Sequence, residues 1–282
     1  MKISKRKRSI AGLLFISGFL FLSYCFFESR WIKVTEIEIK SADIPESFNG
    51  SKIVFITDIH LGPYLSAERL SGIVDQINGI KPDIILLGGD YVHYRSQYIE
   101  PVFRELGKLR SVYGTYGVLG NHDHYSDAVL TRKMMEKYGV NSVDNQSVWI
   151  KKGNDSIKIG GVGDFWRDVQ TPQNTLKDLK KSDFAIMLSH QPDYIEKIDT
   201  NLIDLTLSGH THGGQITLFG WWAPILPSKY GQKYRYGLID DEKMKAYISS
   251  GIGTVAVPFR FFCRPEIVVI HLKKEVLGFN RR

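Results

Sequence analysis

Short, strongly apolar runs alternate along this chain with segments whose apolar residues recur at helical spacing. The runs are residues 53–56, 84–87, 116–119, 184–188 and 205–207. Between the first two, Leu70, Ile73, Val74 and Ile77 lie on one face of a predicted helix. Apolar runs this short are typical of strands that are buried on both faces, and strands that alternate with helices form parallel sheets. The sequence therefore predicts an α/β fold.

The second half of the chain is richer in strands than the first. Further strand-like segments are residues 156–159, 245–249 and 267–272, which favour a second sheet packed on the first. Residues 28–49 are predicted to form a linker and an edge strand, because residues 34–39 alternate between polar and apolar. We expect one domain over residues 50–275, followed by a C-terminal tail over residues 276–282.

Each of the five apolar runs is followed, within a few residues, by side chains that can bind a metal ion. These side chains are Asp58 and His60, then Asp90, then Asn121, His122 and Asp123, then His190, and finally His210 and His212. A single Asp or His after a strand is more often part of a turn. Five such positions in one chain favour a common site, because the carboxyl ends of parallel strands meet at one edge of a sheet.

The types of side chain in this set indicate the metal chemistry. Carboxylates, an amide oxygen and several imidazoles suit Mn, Fe, Zn or Co, whereas Mg or Ca would take mostly oxygen ligands. The set is too large for one ion, and the carboxylate of Asp90 could bridge two. Two bridged ions can activate a water as a hydroxide nucleophile, so no nucleophilic Ser or Cys is needed. The chain contains no Gly-x-Ser-x-Gly motif, Walker lysine or Cys-x-x-Cys that would indicate another chemistry.

The order and spacing of these motifs resemble the calcineurin-like metallophosphoesterases, whose pattern is D-x-H, G-D, G-N-H-[DE], H and G-H-x-H. Residues 209–215 (Gly-His-Thr-His-Gly-Gly-Gln) and 227–231 (Pro-Ser-Lys-Tyr-Gly) look most like the membrane-associated bacterial YkuE/YaeI-like phosphodiesterase branch. That branch is related to the UDP-2,3-diacylglucosamine hydrolases. The resemblance implies a four-layer α/β/β/α sandwich and a metal-dependent phosphoric ester hydrolase.

The resemblance also implies roles for individual residues. One metal ion would be held by Asp58, His60, Asp90 and His212, and the second by Asp90, Asn121, His190 and His210. His122 would act on the phosphoryl group or the leaving oxygen without binding metal, and Asp123 would orient it. His93 departs from the family pattern, which leads us to expect an acidic residue there.

The N-terminus carries a separate signal. Residues 1–9 are basic, and residues 10–27 are eighteen consecutive residues without a charge, close to the length of a membrane-spanning helix. A buried core helix and a cleaved signal peptide are the alternatives. No small-x-small cleavage site follows, so an uncleaved signal anchor is favoured. The basic residues before the span predict a cytoplasmic tail, a single pass through the cell membrane and an extracytoplasmic catalytic domain.

The net charge of +7 does not indicate nucleic-acid binding. Five of the 37 basic side chains precede residue 10, which leaves 32 against 30 acidic side chains in the rest of the chain. A nearly neutral domain lacks the excess of positive charge that proteins use to bind the phosphate backbone of nucleic acids. We therefore expect no nucleic-acid partner, which argues against a nuclease of the same superfamily. The sequence contains no signal for an oligomeric state.

An aromatic segment after the last motif bears on the substrate. Trp221 and Trp222 lie in residues 219–227, which form either a hairpin packed on its own sheet or an interfacial flap beside the site. The flap, together with the anchor, favours a lipid-linked phosphoester such as a UDP-diacylglucosamine-like lipid or a phospholipid headgroup. UDP-sugar lipids are cytoplasmic, so an extracytoplasmic domain would favour a cell-envelope phosphate. The alternatives are a protein or small-molecule phosphomonoesterase and a non-catalytic, metal-stabilised membrane scaffold or receptor.

Overall fold

Two six-stranded β-sheets contain the named strands of the computed structural model, which describes residues 5–198, 200–240 and 245–275. The helices are α1 (Lys5–Glu28), α2 (Ala67–Ile80), α3 (Ile99–Leu106), α4 (Asn121–Ser126), α5 (Ala128–Lys137) and α6 (Gln173–Leu176). The strands are β1 (Lys33–Ser41), β2 (Lys52–Ile56), β3 (Ile84–Leu87), β4 (Thr115–Gly117), β5 (Val140–Ser142), β6 (Ser147–Lys152), β7 (Asp155–Gly161), β8 (Ala185–Leu188), β9 (Leu205–Ser208), β10 (Gly237–Asp240), β11 (Lys245–Ile248) and β12 (Glu266–Lys274).

The first sheet has the strand order β1-β12-β2-β3-β4-β5. Strands β2, β3, β4 and β5 are parallel, and Ile53 of β2 pairs with Ile84 of β3. Helices α2, α3 and α5 lie in the connections between these strands. Consequently the loops after β2, β3 and β4 emerge at the same edge of the sheet.

The second sheet has the order β10-β11-β9-β8-β7-β6. Its four central strands are parallel, and the two edge strands are antiparallel to their neighbours. The carboxyl ends of β8 and β9 therefore lie at the same edge of the second sheet, just as those of β2, β3 and β4 lie at one edge of the first sheet. The sequence predicted this second sheet from the strand-rich second half of the chain.

Alternation along the strands divides the core into two main layers. Ile53 and Phe55 of β2 face the other sheet, whereas Val54 and Ile56 pack beneath the helices of the first sheet. The outer face of the second sheet is covered by α6, the 3-10 helix Pro192–Lys197 and loops. The predicted α/β two-sheet fold is confirmed, with a fourth layer made of short helical turns.

The amphipathic pattern of α2 shows how closely local sequence matches structure. The side chain of Ser66 accepts a hydrogen bond from the amide of Arg69 at the start of the helix, as an N-cap does. The helix buries the four residues that the spacing predicted to share a face, Leu70, Ile73, Val74 and Ile77. It ends before Lys81, which has a left-handed backbone at φ 56°.

The N-terminal segment is one long helix. Within α1, Ser9–Glu28 is apolar and long enough to cross a membrane, and little of it is buried against the protein. The predicted basic tail over residues 1–9 continues into this helix from Lys5, while residues 1–4 and the predicted tail at 276–282 lie outside the described residues. The predicted linker is short, because β1 already begins at Lys33 and pairs with β12 in the first sheet.

Candidate metal centre

The loops after five parallel strands bring the predicted site residues together. The residues expected to bind metal or act in catalysis are all at most 6% exposed: Asp58, His60, Asp90, Asn121, His122, Asp123, His190, His210 and His212. They are supplied by β2, β3 and β4 of the first sheet and by β8 and β9 of the second. The site therefore lies where the carboxyl edges of the two sheets meet.

The backbone at this site adopts conformations that are unfavourable for most residues. Five of these residues have a left-handed backbone, with φ between 48° and 67°: Asp58, His60, Asp90, His210 and His212. A positive φ is uncommon for residues other than glycine, and such strain is concentrated at functional sites. The backbone thus aims these side chains inward at a cost in conformational energy.

Asp58 is the centre of one group of donors. Its carboxylate accepts hydrogen bonds from the Thr57 hydroxyl and the His210 amide, both at 2.9 Å. Its Oδ1 lies 3.4 Å from Nε2 of His212 and 3.8 Å from Nε2 of His60. Ligand atoms of Asp58, His60 and His212 all lie within 4.8 Å of one another, which is close enough to surround one ion.

Asp90 is the centre of a second, adjacent group. Its Oδ1 accepts a hydrogen bond from the His122 amide at 2.8 Å. Its Oδ2 lies 3.2 Å from Nε2 of His190 and 3.5 Å from Nε2 of His60. Asp90, His190 and His210 also have ligand atoms within 4.8 Å of one another. Asp90 therefore stands between the two groups of donors.

Asn121 is held by a buried network that the sequence did not indicate. Nε2 of Gln191 donates to Oδ1 of Asn121 at 3.4 Å and also donates to the carboxylate of Asp164. Gln191 and Asp164 are both essentially buried. Asp164 follows the end of β7, so the pattern of polar residues after strands could have revealed it. The sequence did not indicate Asp164 because β7 ends in two glycines rather than in a uniform apolar run.

His122 and Asp123 have different contacts from those expected. Nδ1 of His122 is hydrogen-bonded to the carbonyl of His93, so the backbone of His93 orients the ring. Asp123 instead accepts hydrogen bonds from the amides of Asp90, Tyr91 and Gly120, at 2.8 to 2.9 Å. Adjacent residues on a helix point in different directions, which explains why Asp123 supports the loop after β3 rather than the neighbouring imidazole.

Unpartnered nitrogens at the site test whether a metal ion fits. Four buried nitrogens have no hydrogen-bond partner among the residues that the structure describes: Nδ1 of His60, Nε2 of His190, Nε2 of His210 and Nδ1 of His212. Buried polar atoms are normally paired, so four such atoms, on rings that surround two carboxylates, require an explanation. Nδ1 of His190 donates to the carbonyl of Gly88 at 2.7 Å, which leaves its Nε2 as an electron-pair donor. The donor set therefore fits transition-metal ions.

The electrostatics of three of the four imidazoles agree with this fit. Burial lowers the pKa of His60, His210 and His212, that of His210 to about 3. Imidazoles bind metal ions in their neutral form, so these three rings are in the binding form at neutral pH. Burial also disfavours a charge on His190, but the adjacent Asp90 outweighs it and raises the pKa of His190 to about 10. His190 therefore has to release a proton before its Nε2 can bind a metal ion.

A cavity of about 340 Å³ opens onto the site and has a largely apolar wall. Five of the predicted site residues line it: Asp90, Asn121, His122, His210 and His212. Trp166 lines the wall with its ring edge-on to that of His210, at 4.3 Å between ring centroids. No sequence pattern predicted a role for Trp166. Ile216 forms part of the remaining wall, together with Pro224 and Ile225 from residues 219–227, the segment predicted to be a hairpin or an interfacial flap and called the flap below.

The paired sheets, the buried donor groups and the open cavity are the arrangement expected from the resemblance to metal-dependent phosphoric ester hydrolases. The model of the calcineurin-like phosphoesterase family matches residues 51–214. The chain belongs to this family. Membership favours the predicted enzyme over the alternative of a non-catalytic scaffold.

Several named relatives are similar over most of the chain. The chain is 35% identical over 254 residues to the uncharacterized metallophosphoesterase YkuE of Bacillus subtilis, covering 88% of each. It is 28% identical to the phosphodiesterase YaeI of Escherichia coli, covering 96% of this chain and 99% of the relative. A transmembrane protein with metallophosphoesterase domain from Danio rerio is 29% identical, over 86% of this chain and 57% of the relative. Together with the apolar helix α1, this last relative suggests membrane association.

Proposed function

We propose that the chain is a binuclear-metal phosphoesterase of the phosphodiesterase or pyrophosphatase type. The observation that carries the proposal is the position of Asp90 between two groups of donors. Its Oδ2 lies 3.5 Å from Nε2 of His60 on one side and 3.2 Å from Nε2 of His190 on the other. A carboxylate in this position is suited to bridge two ions.

The proposed ligands follow from these groups. Asp58, His60, Asp90 and His212 would hold one ion, and Asp90, Asn121, His190 and His210 the other. The mixed nitrogen and oxygen set suits Mn, Fe or Zn. Such ions, when bound, polarise a phosphoryl oxygen and lower the pKa of a bound water.

The protein's own groups position and protonate the substrate in this proposal. With Nδ1 of His122 held by the His93 carbonyl, its Nε2 is the nitrogen left to act on a substrate in the cavity that the ring lines. A positioned imidazole can stabilise the phosphoryl group or protonate the leaving oxygen. Asp123 would support catalysis indirectly. It accepts hydrogen bonds from the amides of Asp90 and Tyr91 and so fixes the backbone that positions the Asp90 carboxylate.

The apolar wall of the cavity supports a substrate with an apolar part. Ile225 is 79% exposed although it lines the cavity, and Trp166 is 45% exposed. Exposed apolar side chains beside polar catalytic groups favour a ligand that is itself amphiphilic. A lipid-linked phosphoester, such as a phospholipid headgroup or a UDP-diacylglucosamine-like lipid, has this character.

The test compares two substrates in two variants. Ile225→Ser should lower hydrolysis of a phosphodiester lipid in mixed micelles by about tenfold, since removal of a buried apolar contact costs about 1–2 kcal/mol. The same variant should hydrolyse bis(p-nitrophenyl) phosphate at the wild-type rate. Val112→Ser, at another exposed apolar position, is the control and should change neither rate. Equal loss on both substrates, or a wild-type preference for phosphomonoesters or phosphopeptides, would overturn the proposed substrate class.

We also propose that α1 is a single-pass signal anchor with the catalytic domain outside the cell membrane. Residues 1–9 would be the cytoplasmic tail, residues 10–27 the span, residues 28–49 the linker and edge strand, and residues 50–275 the metallophosphoesterase domain. Trp221, 86% exposed, and Trp222, 49% exposed, support an interfacial flap, because amphipathic rings favour the membrane interface. A reporter that works only outside the cytoplasm, fused to the C-terminus, should be active. An inactive reporter would show that the catalytic domain lies on the cytoplasmic side.

A further inference from the structure

A second cavity of about 270 Å³ lies at the end of α1 and shares no lining residue with the cavity over the metal centre. Tyr24 and Glu28 of α1 form one side, and Lys33, Arg235 and Arg264 contribute three cationic side chains. We infer that this cavity binds the headgroup of an anionic phospholipid. The inference rests on the proposed membrane span of α1.

The last turns of α1 are fixed to the catalytic domain. The Glu28 carboxylate accepts hydrogen bonds from the amides of Phe262, at 3.0 Å, and Cys263, at 2.6 Å. The amide of Arg260 donates to the carbonyl of Cys25 at 3.0 Å. Glu28 is buried and its carboxylate accepts two hydrogen bonds from the domain. The helix therefore leaves the membrane at a defined place on the domain. The cavity is therefore held next to the membrane rather than at a variable distance from it.

Aromatic contacts place the rim of this cavity at the level of the membrane surface. The ring of Phe21, inside the proposed span, lies 4.9 Å from that of Phe261, which in turn lies 4.6 Å from Phe262. Phe262 contacts Phe219 of the flap at 5.4 Å, and both rings are largely exposed. Aromatic side chains are enriched where a protein meets the headgroup region. Acyl chains could lie along α1 and Phe262 with the headgroup in the cavity.

Two of the three cations keep their charge available. Arg235 donates to the carbonyls of Gly213, at 3.0 Å, and Gly220, at 2.7 Å. Arg264 donates to the carbonyl of Trp31 at 2.8 Å and lies over the indole ring. Carbonyl oxygens do not neutralise a guanidinium, and neither arginine forms a salt bridge with any described residue.

The remaining charged groups at the cavity are already engaged. Lys33 lies 3.3 Å from the carboxylate of Glu266, which offsets its charge. The carboxylate of Glu28 accepts hydrogen bonds from two amides but keeps its negative charge, so the two arginines and Glu28 together leave one net positive charge at the cavity. Two guanidinium groups thus remain for a ligand, and their planar donors match a phosphate group. A phosphodiester headgroup with a net negative charge satisfies this arrangement better than a zwitterionic one.

The experiment measures lipid binding by the full-length protein. The protein is placed in nanodiscs of phosphatidylcholine alone or of phosphatidylcholine and phosphatidylglycerol in equal amounts, and retained lipid is quantified by native mass spectrometry. We expect selective retention of phosphatidylglycerol. Arg264→Gln and Arg235→Gln should each lower this retention about fivefold, the effect of one cation near an anionic lipid surface. Lys229→Gln, which removes an exposed charge outside the cavity, should leave it unchanged.

Arg264→Lys separates charge from folding, because it keeps the cation and should retain more phosphatidylglycerol than Arg264→Gln. Equal retention of both lipids, or equal effects of Arg264→Gln and Lys229→Gln, would overturn the inference. Competition by soluble glycerol phosphate as strong as that by phosphatidylglycerol would indicate a free-phosphate site and would also overturn it. Hydrolysis of bis(p-nitrophenyl) phosphate by the same samples tests the proposed function separately, since it does not depend on lipid binding.

Discussion

The Nε2 atoms of His60 and His212 lie 3.1 Å apart in a part of the molecule that solvent hardly reaches. One ring could donate a hydrogen bond to the other, but Nδ1 of each ring would still be buried without a partner. Asp58 lies 3.4 Å from the His212 nitrogen. A cation shared by the two Nε2 atoms and the Asp58 carboxylate accounts for the close approach of all three groups.

Metal content should therefore depend on these histidines. Purified protein should contain about two transition-metal ions per chain by elemental analysis, as two-metal hydrolases do. His212→Ala should lower that content, whereas His271→Ala, which removes a surface ring paired with Glu36, should not.

Chelation should abolish phosphodiesterase activity and lower Tm by roughly 5–10 °C, because ligand at 100 times its Kd adds about 2.7 kcal/mol. Protein free of transition metal but fully active would refute the assignment.

His122 should affect catalysis without affecting metal content. Its ring nitrogen lies within 4.8 Å of donor atoms of His60 and Asp90, so it could in principle be a ligand. If its role is proton transfer, His122→Ala should lower kcat by about 10² to 10⁴ while both ions remain bound. His93→Ala is the matched control and should leave kcat and metal content unchanged. The carbonyl that orients His122 belongs to the backbone of residue 93 and is retained in this variant. Loss of metal in the His122 variant would make this residue a ligand instead.

The strand-end residues of the site were predictable because a polar side chain directly after a buried apolar strand has few other uses. The sequence therefore indicated Asp58, Asp90 and His190 together with the two-sheet fold. The supporting residues were harder to predict. Trp166 reaches His210 from a loop whose path the local sequence does not determine. The contacts of Asp123 depend on the direction of its side chain from α4, which a motif does not specify.

The loop after β11 brings a glycine against the metal centre. Gly251 has φ +70°, and a Cβ atom there would lie 2.6 Å from Cβ of Asp58. Gly251→Ala should therefore displace Asp58, lower metal content and reduce activity at least tenfold. Gly50→Ala is the control, since Gly50 has φ +81° but no atom near its Cβ position. It should cost about 1–2 kcal/mol of stability and leave activity unchanged. Equal effects of both variants on activity would mean that backbone strain alone is responsible.

Asp204 provides a pH-dependent test of the second sheet. Its carboxylate, just before β9, accepts hydrogen bonds from the Ala185 amide and the Ser41 hydroxyl, yet burial raises its pKa from 3.8 to about 6. The folded state therefore binds this proton more tightly than the unfolded state does. The resulting stabilisation is complete below pH 3.8 and is lost as the pH rises through 6, a change of up to about 3 kcal/mol. Asp204→Asn removes the titration, so thermal unfolding should show this variant gaining stability relative to wild type between pH 5 and about pH 7.5. Asp75→Asn, at an exposed position of α2, is the control and should differ from wild type by the same amount at both pH values. A constant difference for Asp204→Asn would show that its carboxylate is stabilised as fully in the folded protein as in water.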